Sequence, residues 1–149
     1  MFGIFTEDKT IKSEFNETVL PALIIIGDFN EGLQIPVDYW DIEQYYASWL
    51  SSLKKGMSEC RNATLVVSMY SPEDARFLFS WVLYFRGENV IIQNKIVFID
   101  EISDFSIEEI NKYSGEYDEY SEGEKASEWH TTVDEVKAFI TYLEGKILR

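Results

Sequence analysis

TLVVSMYSPEDARFLFSWVLYFRGENVIIQNKIVFID, residues 64–100, is the longest apolar region of the chain, and its reading decides the fold. It is rich in β-branched and aromatic residues, the side chains that suit a pleated, half-buried surface. Within 76–85 the odd positions Phe77, Phe79, Trp81, Leu83 and Phe85 are all large and apolar, whereas the even positions mix Arg76, Leu78, Ser80, Val82 and Tyr84. Side chains alternate across a strand, so the pattern predicts one dry face and one half-covered face. Residues 65–70, 90–93 and 95–99 also read as strands, joined through Ser71-Pro72-Glu73-Asp74, Gly87-Glu88-Asn89 and Asn94-Lys95. Connections this short leave no room for a crossover, which makes the neighbours antiparallel.

Upstream, residues 2–5 are a short apolar piece suited to a sheet edge, and 6–18 show no period and receive no assigned structure. Pro21 opens an expected strand at 22–26, and Gly27-Asp28-Phe29-Asn30-Glu31-Gly32 reads as a turn into a second short strand, 33–37. Asp38 is then a candidate helix N-cap with Asp41 three residues on. Ile42, Tyr45, Tyr46, Trp49, Leu50 and Leu53 follow at helical spacing, forming one stripe that packs on the sheet as core. Gly56 after Lys54 and Lys55 supplies the expected stop.

Downstream, Ser106 and Glu109 have capping-box spacing, with Phe105 and Ile110 placed as a hydrophobic staple for a short helix ending near Gly115. Residues 114–124 contain no aliphatic side chain and predict a solvated loop. Residues 126–131 read as a last strand. Thr132 and Glu135 then form a second capping box, and Val133, Val136, Ile140, Leu143 and Ile147 carry a helical stripe to the C-terminus. The fold expected is α+β: residues 1–149 as one domain, a largely antiparallel curved β-sheet or sandwich with two longer helices and one short helix packed on it. A chain of 149 residues supports a core without staples, burying roughly 68–70% of its unfolded surface. The lone Cys60 excludes an internal disulfide. The N-terminus lacks the basic and apolar segments of an export signal, and no apolar run is long enough to span a bilayer, so a soluble cytoplasmic protein is expected.

Charge narrows the partners. Thirteen basic residues face twenty-seven acidic ones, a formal net charge of −14, and −11 of it lies in residues 100–135. A surface of that sign repels phosphate and anionic lipid, so neither nucleic acid nor membrane is expected as a partner, and a basic protein is. Acidic runs also serve as plain solvated faces. Tyr117 and Tyr120 among Glu116, Asp118 and Glu119 favour a contact role, since tyrosine combines rigid amphipathic area with adaptable bonding. Asp28 and Glu31 on the early hairpin, Tyr39 and Trp40 before the helix, and Glu101 and Asp104 after the last apolar strand complete the candidate contact set.

Catalytic chemistry is mostly absent from the pattern. There is no glycine-rich phosphate loop, no zinc spacing and no nucleophile elbow, and no cofactor, metal ligand or catalytic residue is assigned. His130 is the only histidine. With Glu128 two residues away it would share a strand face suited to acid and base work, although a histidine bonded to backbone near a strand end is the plainer reading. Cys60 beside Arg61 has no histidine near it in sequence to activate it.

The segments MFGIF (1–5), YWDI (39–42), SWLSSL (48–53), VSMY (67–70), WVLYF (81–85), VIIQNKIVF (90–98) and SEWHT (127–131) together resemble one family in order and spacing. It is the CdiI immunity proteins of bacterial contact-dependent growth inhibition, in the group paired with toxin domains similar to the ribosomal RNA nuclease of colicin E3. The resemblance runs from the first residue to the final helix, with 6–20 and 115–124 departing most from the pattern. It implies a CdiA C-terminal toxin domain as one-to-one partner, an inhibitor without catalytic activity, and a β-rich fold similar to the Whirly single-stranded DNA-binding proteins. DNA binding does not follow from that likeness, because fold does not fix function and the net charge opposes it. Two alternatives stay open: a Whirly-type nucleic-acid module, and a small enzyme using His130 and a carboxylate.

Overall fold

The computed structural model describes residues 1–121 and 123–147. Glu122, counted above in the acidic run, and the last two positions of the expected C-terminal helix lie outside the described residues. In chain order the elements are β1 (Phe2–Thr6), β2 (Ile11–Lys12), β3 (Thr18–Ile26), β4 (Phe29–Pro36), α1 (Ile42–Glu59), β5 (Asn62–Val66), β6 (Phe77–Arg86), β7 (Asn89–Phe98), α2 (Ile110–Tyr113), β8 (Tyr120–Ser121), β9 (Glu124–Lys125), β10 (Trp129–Thr132) and α3 (Val133–Ile147). Single 3-10 turns at Ile99–Glu101 and Ile107–Glu109 lead from β7 into α2. The chain is thus α+β, and every strand pairing is antiparallel.

β3 is the hub of the first sheet. It pairs with β4 along its whole length, from Val19↔Pro36 to Ile26↔Phe29, and with β1 and then β2 on its other side. Gly27, at φ +61°, opens the two-residue loop between β3 and β4, and Gly87, at φ +63°, opens the loop between β6 and β7. Glycine first is the residue order that matches the strands' twist. Pro21 does not open the strand as expected but sits inside it, where its missing N–H needs an explanation. Its carbonyl accepts from Glu7 N at 2.9 Å on the β1 side. A residue in an antiparallel ladder turns its N and its C=O toward the same neighbour, so the missing donor faces the gap between β1 and β2 and costs no ladder bond. β2 also lies in a stretch whose sequence shows no strand period.

The second sheet runs β10-β7-β6-β5. β6 and β7 form one long hairpin, Phe77↔Phe98 to Arg86↔Asn89. The expected turn at Asn94-Lys95 is therefore corrected: both residues continue β7, opposite Trp81 and Ser80. β10 covers the far edge of β7 only from Asn89 to Ile92. Among the described residues the edge from Gln93 to Phe98 pairs with no strand.

The two sheets face each other and the helices close one side. Phe139 of α3 meets Phe2 of β1 edge-on at 5.5 Å and Trp49 of α1 at 6.5 Å. Trp49, wholly buried, donates its indole N–H to Val66 O at 2.8 Å. Tyr45 does similar work, donating to Pro36 O at 2.6 Å and accepting from Met69 N at 2.8 Å. Such bonds satisfy the polar handles that buried aromatic rings carry.

Three helix boundaries differ from expectation. Asp41, not Asp38, caps α1: it accepts from Gln44 N at 2.9 Å, and the Gln44 side chain returns to Asp41 N at 3.0 Å. Asp38 instead accepts from Thr18 N, tying the helix approach to β3. Gly56 does not stop α1, which continues to Glu59 and ends at Cys60 in the left-handed region, φ 54°. Gly56 is needed because a Cβ there would collide with the carbonyl of Asn62. Ser106 makes no capping bond, its hydroxyl donating to Glu108, and α2 has only four residues. Thr132 does accept from Glu135 N at 3.3 Å, but the Glu135 carboxylate takes its bonds from Thr131 Oγ1 and the N-terminal amine. Those donors hold the Glu135 carboxyl below the usual carboxylate range.

Candidate binding surface

Strand alternation gives each sheet an inner and an outer face. On the first sheet Phe29, Glu31, Leu33 and Ile35 of β4 point the same way as buried Ile24 and Ile26, toward the second sheet. On the second sheet the inner face carries Phe77, Phe79, Trp81, Leu83 and Phe85 of β6, with Ile92, Asn94, Ile96 and Phe98 of β7 opposite them. The sheets meet tightly at one end, where Phe29 lies 4.7 Å from Trp129 and Trp129 lies 5.3 Å from Trp81, ring centre to ring centre.

At the other end they part. The opening is a groove of about 700 Å³, with Glu31 and Leu33 on one wall and Phe79, Trp81, Asn94, Ile96 and Phe98 on the other. Ser121 of β8 and Ala126, just after β9, reach its margin. The expected dry face is thus dry only from Trp81 onward. Trp81 is 2% exposed and Leu83 wholly buried, but Phe77 is 43% exposed and Phe79 49%, while Leu78 on the opposite face is buried. Alternation foretold which residues share a face but not how far the facing sheet reaches.

The outer face of the second sheet is covered by residues 110–119. Asn111 joins it to β5, accepting from Thr64 N at 2.7 Å, and Ser114 Oγ pairs with Thr64 Oγ1 at the same distance. Tyr117 stacks edge-on against Tyr84 at 5.4 Å, donates to Glu128 and lies under the Arg86 guanidinium at 4.9 Å. Gln93 donates to Asp118 O and to Glu128, and Lys95 donates to Tyr84 Oη at 2.6 Å. The Tyr117 phenol is pushed up to about 12, first by its bond to the Glu128 carboxylate. Burial pushes Tyr84 up to about 12, and burial pulls Lys95 down against the opposing charge of Asp118. Each of these groups is tuned by its neighbours in one polar cluster.

The expected contact residues fall in different places. Asp28, at the tip of the β3–β4 loop, and Glu31, inside the groove mouth, are exposed. Glu101 lies in the turn that follows Phe98, and Asp104, exposed, has φ 55°. Glu116, Asp118, Glu119 and Tyr120 are exposed, with Glu119 paired to Lys125 at 3.4 Å, whereas Tyr117 is half-buried and turned inward. Tyr39 is 48% exposed. Trp40, expected at the surface, is 8% exposed and packs edge-on against Tyr45 at 5.2 Å. As the residue before the cap meeting the fourth helical position, it forms a hydrophobic staple. Glu128, just before β10, is bonded to Tyr117 and Gln93, and exposed His130 lies opposite Ile91 in β10; both are on the outer-face side of the sheet, and no bond between them is formed among the described residues. Among the described residues no group of three or more potential ligands is arranged to hold a metal ion. The apolar end of the groove, Phe79, Ile96 and Phe98, with Phe77 packed beside it, was absent from the expected contact set. Its only signal was that a face of pure phenylalanine and isoleucine continues past the length a short facing strand can cover.

Comparison with known proteins bears on what meets this surface. The family model described as the CdiI N-terminal domain matches residues 35–139. The chain is 44% identical over 140 residues to the immunity protein CdiI of Enterobacter cloacae subsp. cloacae, covering 93% of this chain and 96% of that protein. Its fold matches a chain of the CdiA-CT/CdiI toxin and immunity complex from Enterobacter cloacae with a TM-score of 0.92 and 43% identity, covering 97% of this chain and 99% of that one.

Proposed function

The chain belongs to the CdiI N-terminal domain family, and we propose that it is an immunity protein that binds the C-terminal toxin domain of a cognate CdiA, one to one, and holds it inactive in the cytoplasm. The observation that carries this reading is the near-complete match, in sequence and in fold, to a chain of a toxin and immunity complex. The toxin domain in this reading is a 16S ribosomal RNA nuclease. Such an enzyme presents a basic cleft to RNA phosphates, and an inhibitor with net charge −14 meets that cleft with carboxylates and excludes the substrate. No bond is made or broken by the inhibitor. Complementary charge speeds encounter, up to on the order of 10⁸–10⁹ M⁻¹s⁻¹ at low salt, and a few desolvated anchors set the residence time. The exposed acids Asp28, Glu31, Glu101, Asp104, Glu116, Asp118 and Glu119 supply the field, and Tyr39 and Tyr120 offer exposed rings. No helix among the described residues is long and apolar enough to cross a membrane.

The test is co-expression with the C-terminal toxin domain of the cognate CdiA. Restored growth together with co-purification of the two proteins is the expected result. Continued growth arrest, with the protein folded and abundant, would overturn the reading.

A further inference from the structure

The largest unexplained feature of the surface is the open end of the groove. Phe77, Phe79, Ile96 and Phe98 are each 43–49% exposed. They form two directly opposed cross-strand pairs, Phe77↔Phe98 and Phe79↔Ile96, on one face of the β6–β7 hairpin. Phe77 meets Phe79 edge-on at 5.4 Å and Phe98 at 6.4 Å, so the rings make one patch. The other exposed large apolar residues, such as Phe15, Tyr39 and Tyr120, sit on separate elements. A contiguous apolar patch facing water marks a contact surface, whereas scattered ones need no explanation.

The rim says what kind of partner fits. Glu73 and Asp74 lie in the loop before Phe77, and Asp100 and Glu101 in the turn after Phe98. A bond from Asp100 N to Arg76 O at 3.3 Å brings these two segments side by side. Glu31 stands on the opposite wall. Among the described residues none of these five acids is in an ion pair. Two cations belong to the same region: Arg76, exposed beside Phe77, and Lys95, which borders the groove but donates its ammonium to Tyr84 Oη of the outer face. An apolar floor whose rim sets five carboxylates against one exposed cation, Arg76, beside a strand edge without a partner strand, complements a protein surface that sets apolar side chains among lysines and arginines.

We propose that this open end, Phe77, Phe79, Ile96 and Phe98 with Leu33 and Glu31, is the anchoring surface for the toxin domain. The proposal rests on the immunity reading and adds to it the site of residence: the patch holds, and the acidic rim steers.

The experiment measures binding kinetics between the cognate CdiA toxin domain and the wild type or the double variant Phe79→Ser/Ile96→Ser. Both side chains are half-exposed, and circular dichroism checks that the variant folds. The dissociation constant is expected to rise about 30-fold or more, mainly through faster dissociation. Unchanged constants in a folded variant would overturn the proposal while leaving the immunity reading intact. A wild type with no affinity for the toxin domain would overturn both. Hydrogen exchange on the wild type supplies a readout that needs no variant: amides at 77–79 and 94–98 are expected to gain protection when the toxin domain is added, and unchanged exchange there overturns the assignment. A wild-type dimer that the double variant makes monomeric, with toxin binding unaffected, would give the patch to a second copy of this chain and equally overturn it.

Discussion

The two faces of the β6–β7 hairpin treat their aromatic residues in opposite ways. On the outer face Tyr117, from a loop crowded with acids, is drawn inward: it stacks on Tyr84, bonds to Glu128 and takes the Arg86 cation. On the inner face Phe77 and Phe79, whose alternation marks a buried stripe, look onto water. Residue type suggests the reverse arrangement. The difference lies in what each face meets: residues 110–119 extend over the outer face, whereas the first sheet stops short of the inner one. An exposed tyrosine loop and a dry phenylalanine stripe are thus statements about neighbours rather than about the residues themselves.

The contrast along the inner face yields the largest expected effect. Trp81→Ala, at the closed end, should lower unfolding free energy by about 3–5 kcal/mol in a urea titration, the usual cost of truncating a buried large aromatic. A loss near zero would mean that the sheets are open along their whole length. On the outer face, reversing charge at Glu116, Asp118 and Glu119 together should slow association with the toxin domain about 10-fold and flatten its dependence on salt, with the fold retained. Unaltered rates would leave the loop as a solvated face and place the steering charge elsewhere.

The pH response of the outer face follows from the two phenols. Tyr84 and Tyr117 are raised from 10.0 to about 12, so the folded state favours their protonated forms. Their contribution is complete below pH 10 and fades as pH rises through 12. The urea midpoint should therefore fall over that window, and Tyr84→Phe/Tyr117→Phe should shrink the fall. A fall of the same size in the variant would assign it to other groups, such as Tyr45, whose phenol burial also raises. The smallest effect belongs to the open end: Phe79→Ala should change stability by no more than about 0.5 kcal/mol, although it lies two residues from Trp81 on the same face. A larger loss would mean that the patch is covered.

The amino-acid order alone determined the local elements with strong periods. The α1 stripe from Ile42 to Leu53, the Val136 to Leu143 stripe of α3, and the hairpin about Gly87 follow from spacing and from turn chemistry that acts within a few residues, whereas the turn expected at 27–32 shrinks to Gly27-Asp28, with Phe29 already opening β4. The total charge, and with it the expectation that polyanionic partners are disfavoured, is likewise a matter of composition. Only the tertiary structure decided that Asp41 caps in place of Asp38, which β3 claims through Thr18. It decided that Gly56 is a contact with Asn62 rather than a stop, and that Trp40 staples α1 from inside. It also decided where the groove opens, because burial depends on how far a distant strand extends, and no local period carries that length.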